Sequence, residues 1–167
     1  MPGVDHTRGM INKLLTDETT QFDVARRAFD HLEPIRDDYA LVPIQDGFNW
    51  EACASGIHVP ELYLVVFRSV RREDADLVML KEFDDRAFED AQRAPGFLFY
   101  FKGQITPERE CLSFCLWRSR AEARSASDRT AHADAANLVT RMYESYDLER
   151  HRLHQKDGSL VFERLPG

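Results

Sequence analysis

The sequence predicts an α+β fold: a ferredoxin-like βαββαβ protomer with an N-terminal helical extension. Strand-like and helix-like stretches follow one another in this order after residue 60, and one further strand ends the series. A central strand, Glu110–Trp117, has one uniformly apolar face and a second face of small, mixed residues. Such a strand is typical of a boundary between a packed core and a cavity. The sequence therefore predicts a pocket as well as a fold.

The composition limits the class of protein. A chain of 167 residues, 43% of them hydrophobic, can fold as one domain without disulfides or a structural metal. Its formal net charge of -7 argues against a large nucleic-acid interface, which requires a basic surface. No run of roughly 18 apolar residues is present, and the first residues lack a signal-peptide pattern. We therefore expect a cytoplasmic protein that binds neither nucleic acid nor a membrane.

The three cysteines indicate free thiols. Cys53, Cys111 and Cys115 form no CxxC pair. Cys111 and Cys115 are four residues apart on a predicted strand, which separates them by roughly 13 Å, too far for one disulfide or one metal ion. We expect buried thiols in a reducing compartment and no metal site.

Residues 1–57 are predicted to form a helical arm that packs on a domain formed by residues 58–167. A helix is expected to begin near Asp17 and to end by Pro34. Its apolar side is formed by Phe22, Ala25, Phe29 and Leu32.

The end of the arm is expected to be irregular. Tyr39–Ile44 is at most an edge strand because it contains Pro43, and Asp46-Gly47 is typical of a turn. Phe48 and Trp50 then place two aromatic rings on alternate residues.

The first core strand, Glu61–Val70, is apolar on both sides, so both of its faces should be covered. Its exception is Arg68, which either reaches solvent at the strand end or contacts an anionic group in a pocket. The next helix can be capped by Asp74 or Asp76 and has one apolar side. Without a neighbouring histidine, its carboxylates are expected to form a solvated face: Glu82, Asp84, Asp85, Glu89 and Asp90.

The remaining elements complete the pattern. They are strands over Phe97–Phe101 and Glu110–Trp117, helices over Arg118–Ser127 and Asp128–Met142, and strands over Tyr146–His154 and Leu160–Leu165. The apolar face of Glu110–Trp117 consists of Leu112, Phe114 and Leu116 and should pack on helices. The other face consists of Cys111, Ser113, Cys115 and Trp117 and should line the cavity.

Several short motifs carry a family resemblance. They are Ala94-Pro95-Gly96-Phe97 before a strand, Trp117-Arg118-Ser119 at a strand end, the pair Ala131-His132, and a strand of the type Tyr-x-Leu-Glu-Arg. Over about residues 60–155 the chain resembles the dimeric α/β barrel superfamily of antibiotic-biosynthesis and heme-degrading monooxygenases. The resemblance implies two protomers that pair their sheets into one barrel, with a pocket between helices and sheet in each. Two helices cover only one face of a sheet, so the second face is also expected to need a partner sheet.

The two branches of the superfamily imply different chemistry. In the heme-degrading branch a histidine ligates iron, and His132 matches its position. That branch also has an asparagine on the first strand and a tryptophan in the helix, whereas here Arg68 lies near the strand end and the helix over Arg118–Ser127 has no tryptophan. In the cofactor-free, quinone-forming branch, polar residues and a tryptophan hold a phenolic substrate that reacts with oxygen itself.

These observations define the candidate site residues. The candidate catalytic residues are His132, for proton transfer, and Arg68, for orienting the substrate. The candidate substrate-binding residues are Trp117, for ring stacking, with Tyr143, Ser113 and Cys115.

Three hypotheses follow for function. The first is a monooxygenase-like enzyme that acts on a small aromatic or polycyclic molecule in an apolar pocket without a tightly bound cofactor. The second is a non-catalytic ligand-binding or structural homodimer whose pocket is filled by Phe48 and Trp50. The third is a heme-binding or heme-degrading protein that uses His132.

Overall fold

A computed structural model describes the backbone of residues 5–128 and 131–167, and the side chains of Met10 and of residues 17–128 and 137–167. The helices are α1 (Asp5–Phe29), α2 (Ile44–Gly47), α3 (Trp50–Ala54), α4 (Leu77–Arg93), α5 (Arg120–Ser127) and α6 (Ala131–Met142). The strands are β1 (Leu62–Arg71), β2 (Phe97–Lys102), β3 (Glu110–Trp117), β4 (Tyr143–Lys156) and β5 (Ser159–Arg164).

The five strands form one antiparallel sheet in the order β2-β3-β1-β4-β5. The first four strands have the ferredoxin-like order, and β5 continues the sheet beyond β4. The predicted α+β, ferredoxin-like core with an N-terminal helical extension is therefore confirmed.

The register between β1 and β3 decides which residues share a face. Tyr63 lies opposite Trp117, and Val65 lies opposite Cys115. Because side chains alternate along a strand, Tyr63, Val65, Phe67 and the mixed side of β3 point to one face of the sheet. We call this the cavity face, because α4 and α5 cover it with space between.

The opposite face of the sheet, which we call the arm face, is closed by the arm. Its residues Leu64, Val66, Leu112, Phe114, Leu116 and Leu153 are fully buried. Phe48 and Trp50 meet the ring of Phe114 at centroid distances of 5.1 and 5.5 Å, and Trp50 also contacts Phe29. The Trp50 indole N–H donates a hydrogen bond to the Ile44 carbonyl at 2.9 Å, which satisfies its one polar atom.

This arrangement corrects the expectation that the second face needs a partner sheet, since α1, α2 and α3 of the same chain supply the cover. The apolar side of β3 does pack on helices, but these helices belong to the arm. The homodimer and the domain boundary between residues 57 and 58 stay predictions.

Within the arm, two local predictions were wrong, those for the start of α1 and for the turn at Asp46-Gly47. Helix α1 begins at Asp5 and runs through the residues near Asp17 where a start was expected. Tyr39–Ile44 forms no strand. The carbonyls of Ala40 and Val42 accept hydrogen bonds from the Arg68 side chain and not from a neighbouring strand. The predicted turn at Asp46-Gly47 lies inside α2.

Specific residues fix the two ends of helix α4. The Asp76 side chain accepts hydrogen bonds from the backbone N–H groups of Val78 and Met79, which confirms one of the two predicted caps. At the other end, Gly96 has a φ of 82°, and a Cβ there would collide with the side chain of Glu122. By contrast, Asp128, predicted to start the following helix, is the C-terminal cap of α5.

Candidate functional site

A cavity of about 610 Å³ lies between the cavity face of the sheet and the helices α4 and α5. Its size falls within the range of small-molecule sites. The sheet contributes Tyr63, Val65, Phe67, Tyr100, Ser113, Cys115, Trp117, Tyr146, Leu148 and Arg150 to its wall. The helices contribute Phe83, Asp84, Ala87, Phe88, Asp90, Ala91, Arg120, Ala123, Arg124, Ala126 and Ser127.

Aromatic rings dominate this wall. Trp117 is 5% exposed and packs edge-on against Phe97 at 5.6 Å. Phe88 of α4 meets Tyr100 of β2 at 5.0 Å with an interplanar angle of 32°. Rings held in this way present fixed apolar surfaces to a flat ligand.

Hydroxyl groups interrupt the apolar wall. Burial raises the pKa of Tyr100 and of Tyr146 far above the ordinary value, so both remain protonated near neutral pH. Ser113, beside Tyr100, opposes this rise in the pKa of Tyr100 only in part. The cavity therefore contains neutral hydrogen-bond donors that suit a carbonyl or phenolate oxygen.

Burial also decides the state of the thiol in the wall. It raises the pKa of Cys115 to about 12, so the group is a neutral thiol and a poor nucleophile near neutral pH. Cys53, Cys111 and Cys115 all carry free thiols, but these residues are half-buried and not fully buried as expected.

The carboxylate side chains of Asp84, Asp90 and Asp128 line the cavity, and Asp84 has two cations beside it. Asp84 of α4 is half-buried, and its Oδ2 lies 3.6 Å from Lys102 Nζ and 4.0 Å from an Arg71 guanidinium nitrogen. Burial raises the pKa of Asp84 above its ordinary value, although the two cations oppose the shift. Asp84 is therefore a candidate proton acceptor for a bound molecule.

The family model described as PB2B2.08-like matches residues 10–164. The chain belongs to this family. No protein of curated function matches it.

Solved structures with a similar fold include three bacterial proteins. SnoaB from Streptomyces nogalater, a cofactor-independent oxygenase, is 13% identical with a TM-score of 0.47, over 59% of this chain and 98% of its own. Rv0793 from Mycobacterium tuberculosis is 18% identical with a TM-score of 0.48, over 57% of this chain and 96% of its own. A candidate antibiotic biosynthesis monooxygenase from Nitrosomonas europaea is 12% identical with a TM-score of 0.48, over 57% of this chain and 91% of its own. Similarity at this level says nothing about activity.

Three of the predicted substrate-binding residues meet in the cavity: Trp117, Ser113 and Cys115 all line it. Tyr143 lies beside it, with its ring 5.2 Å from that of Tyr146. Burial raises the pKa of Tyr143 to about 12, so it supports the wall as a neutral group.

Arg68 is not part of this site, which corrects its predicted pairing with Trp117. It lies on the arm face, where it donates hydrogen bonds to Glu149 at 2.6 Å and to the carbonyls of Ala40 and Val42. Burial alone would raise the pKa of Glu149, but hydrogen bonds from His151 and Arg68 outweigh it and lower that pKa. Arg68 therefore does contact a carboxylate, but as a link between the arm and the sheet.

The other candidates fall elsewhere. His132 lies on α6, but its side chain is outside the described residues, so its role and the heme hypothesis stay predictions. The second hypothesis required Phe48 and Trp50 to fill the cavity. Both lie on the arm face and do not fill it. Among the described residues, no group of His, Cys, Asp and Glu could hold a metal ion, and no helix has the length and apolarity of a membrane span.

Sequence reasoning missed Asp84 by assigning it, with Asp90, to a solvated helix face. The exposed members of that set are Glu82, Asp85 and Glu89. The signal was present, because Leu80, Asp84 and Phe88 recur every four residues and so share one side of the helix. A carboxylate within an apolar stripe indicates a polar group that faces a cavity.

Proposed function

We propose that the protein is an enzyme of the oxygenase type that acts on a small phenolic, fused-ring molecule without a tightly bound cofactor. The observation that carries this proposal is the cavity itself, which combines aromatic walls, neutral hydroxyl donors and the half-buried carboxylate of Asp84. The superfamily resemblance of residues 60–155 points to the same chemistry.

Each group has a definite role in this proposal. Trp117 stacks on the substrate ring, and the hydroxyls of Tyr100 and Tyr146 donate to the phenolic oxygen as negative charge develops on it. Asp84 accepts the proton from the reacting carbon, and the raised pKa brings its basicity closer to neutral. The carbanion then reduces dioxygen, so that a CH₂ carbon becomes a carbonyl and the second oxygen atom leaves as water.

The test uses the purified protein with no added cofactor and a hydroxyanthrone as probe. We expect oxygen uptake and quinone absorbance in air, one mole of each per mole of probe, and neither under argon. Asp84→Asn should lower kcat by about 100-fold or more, because general-base catalysis contributes that much. The control Asp85→Asn alters an exposed neighbour and should leave kcat unchanged.

Binding of the probe to the wild-type protein without oxygen uptake would exclude the enzyme and favour a ligand-binding protein. Full activity in Asp84→Asn would exclude the role of Asp84 as the base. Activity that appears only with added hemin would exclude the cofactor-free mechanism.

A further inference from the structure

Arg71, at the end of β1, is a largely buried cation with few partners. Its side chain is 12% exposed, and its Nε is buried without a hydrogen-bond partner. Its one ion-pair contact in the described part of the chain is Asp84, at 4.0 Å, which exceeds hydrogen-bond distance. Buried guanidinium groups are normally paired and hydrogen-bonded, since an unpaired buried charge is costly.

Arg71 shares its carboxylate partner with a second cation. Lys102 lies 3.6 Å from the same oxygen of Asp84, so two cations share one carboxylate. The neighbouring Tyr143 and Cys111 add no negative charge, because burial raises the pKa of both groups. One acceptor for the guanidinium is therefore missing.

This cation cluster adjoins the cavity. Asp84, its central residue, lines the wall, and Lys102 pairs across the sheet with Ser113, which lines it too. Arg71 and Lys102 do not line the wall themselves, but both lie within 4.0 Å of Asp84, which does. The planar guanidinium matches the two oxygens of a carboxylate.

We propose that Arg71 and Lys102 bind a carboxylate of the cavity's ligand, so that the substrate is an aromatic acid. This inference rests on the proposed function and specifies its substrate class. The arginines that line the cavity wall are separate from this cluster: Arg120 and Arg124 are exposed on α5, and Arg150 lies on β4.

The test is a calorimetric comparison of 2-naphthoate with 2-naphthamide, which have the same rings and differ in charge. Wild-type protein should bind the acid about tenfold more tightly than the amide, the ratio expected from one charge-assisted contact. Arg71→Met should remove this preference and leave the amide affinity unchanged. Lys102→Met, at a more exposed position, should reduce the preference in part.

Arg72→Met is the matched control, since it removes the same charge from the adjacent, exposed residue, and it should preserve the tenfold ratio.

Equal affinity of the wild-type protein for both probes would overturn the inference while leaving the cavity proposal intact. Failure to bind either probe would count against both. Loss of the preference in Arg150→Met, but not in Arg71→Met, would also overturn it. Should Arg71→Met fail to fold, the wild-type ratio and Lys102→Met decide the question.

Discussion

At the residue scale, Asp84 shows how a helical pattern can conceal a functional group. Its charge and its acidic neighbours make it resemble a solvated side chain, while its spacing from Leu80 and Phe88 places it on the packed side of α4. In the structure it is half-buried and borders the cavity. Burial then acts on its protonation, which makes the folded state sensitive to pH.

The pH dependence has a definite sign. Because the pKa of Asp84 is raised above its ordinary value of 3.8, the folded protein holds this proton more tightly than the unfolded chain. Its contribution to stability is therefore lost as pH rises from the ordinary pKa through the raised one. Asp84→Asn should gain stability relative to the wild type as the pH rises above the ordinary pKa of 3.8, measured by urea denaturation at each pH. The exposed Asp85→Asn should show no such gain, and a constant difference between Asp84→Asn and the wild type would contradict the prediction.

At the scale of elements, patterns predicted the core well and the end of the arm poorly. The strand Glu110–Trp117 and the Asp76 cap depend on neighbours in sequence, so local spacing is enough to place them. The segment Tyr39–Ile44 depends instead on Arg68, which is distant in sequence and bonds its carbonyls. The cavity residues of β3 followed from alternation, whereas the position of Arg68 required knowledge of which element covers each face.

The link made by Arg68 predicts the effect of removing it. Arg68→Met should destabilise the fold by on the order of 3 kcal/mol, because it leaves Glu149 and two carbonyls without their partner. The measurement is the urea midpoint, with the exposed pair member Arg36→Met as a control that should show no change. Binding of 2-naphthamide in the cavity should be unaffected while the variant is folded, since Arg68 lies on the other face. A folded Arg68→Met protein that no longer binds the probe would show that Arg68 belongs to the site after all.

At the scale of the whole molecule, the two faces of the sheet are covered in different ways. The arm face is sealed by aromatic packing around Phe114, and the cavity face keeps space beneath α4 and α5. In the superfamily that the sequence resembles, a partner sheet is expected where the arm lies here. A homodimer that keeps the arm in place must therefore use another surface.

The environment of Trp50 tests this arrangement, because its side chain is 1% exposed only while the arm covers the sheet. The chain has two tryptophans, so Trp117→Phe leaves Trp50 as the sole indole emitter. We expect blue-shifted emission, typical of a buried indole, that does not change across a wide range of protein concentration. The variant Trp50→Phe supplies the emission of Trp117 for comparison. Solvent-exposed emission, or a red shift as the concentration rises, would mean that a partner sheet displaces the arm, since association is the step that depends on concentration.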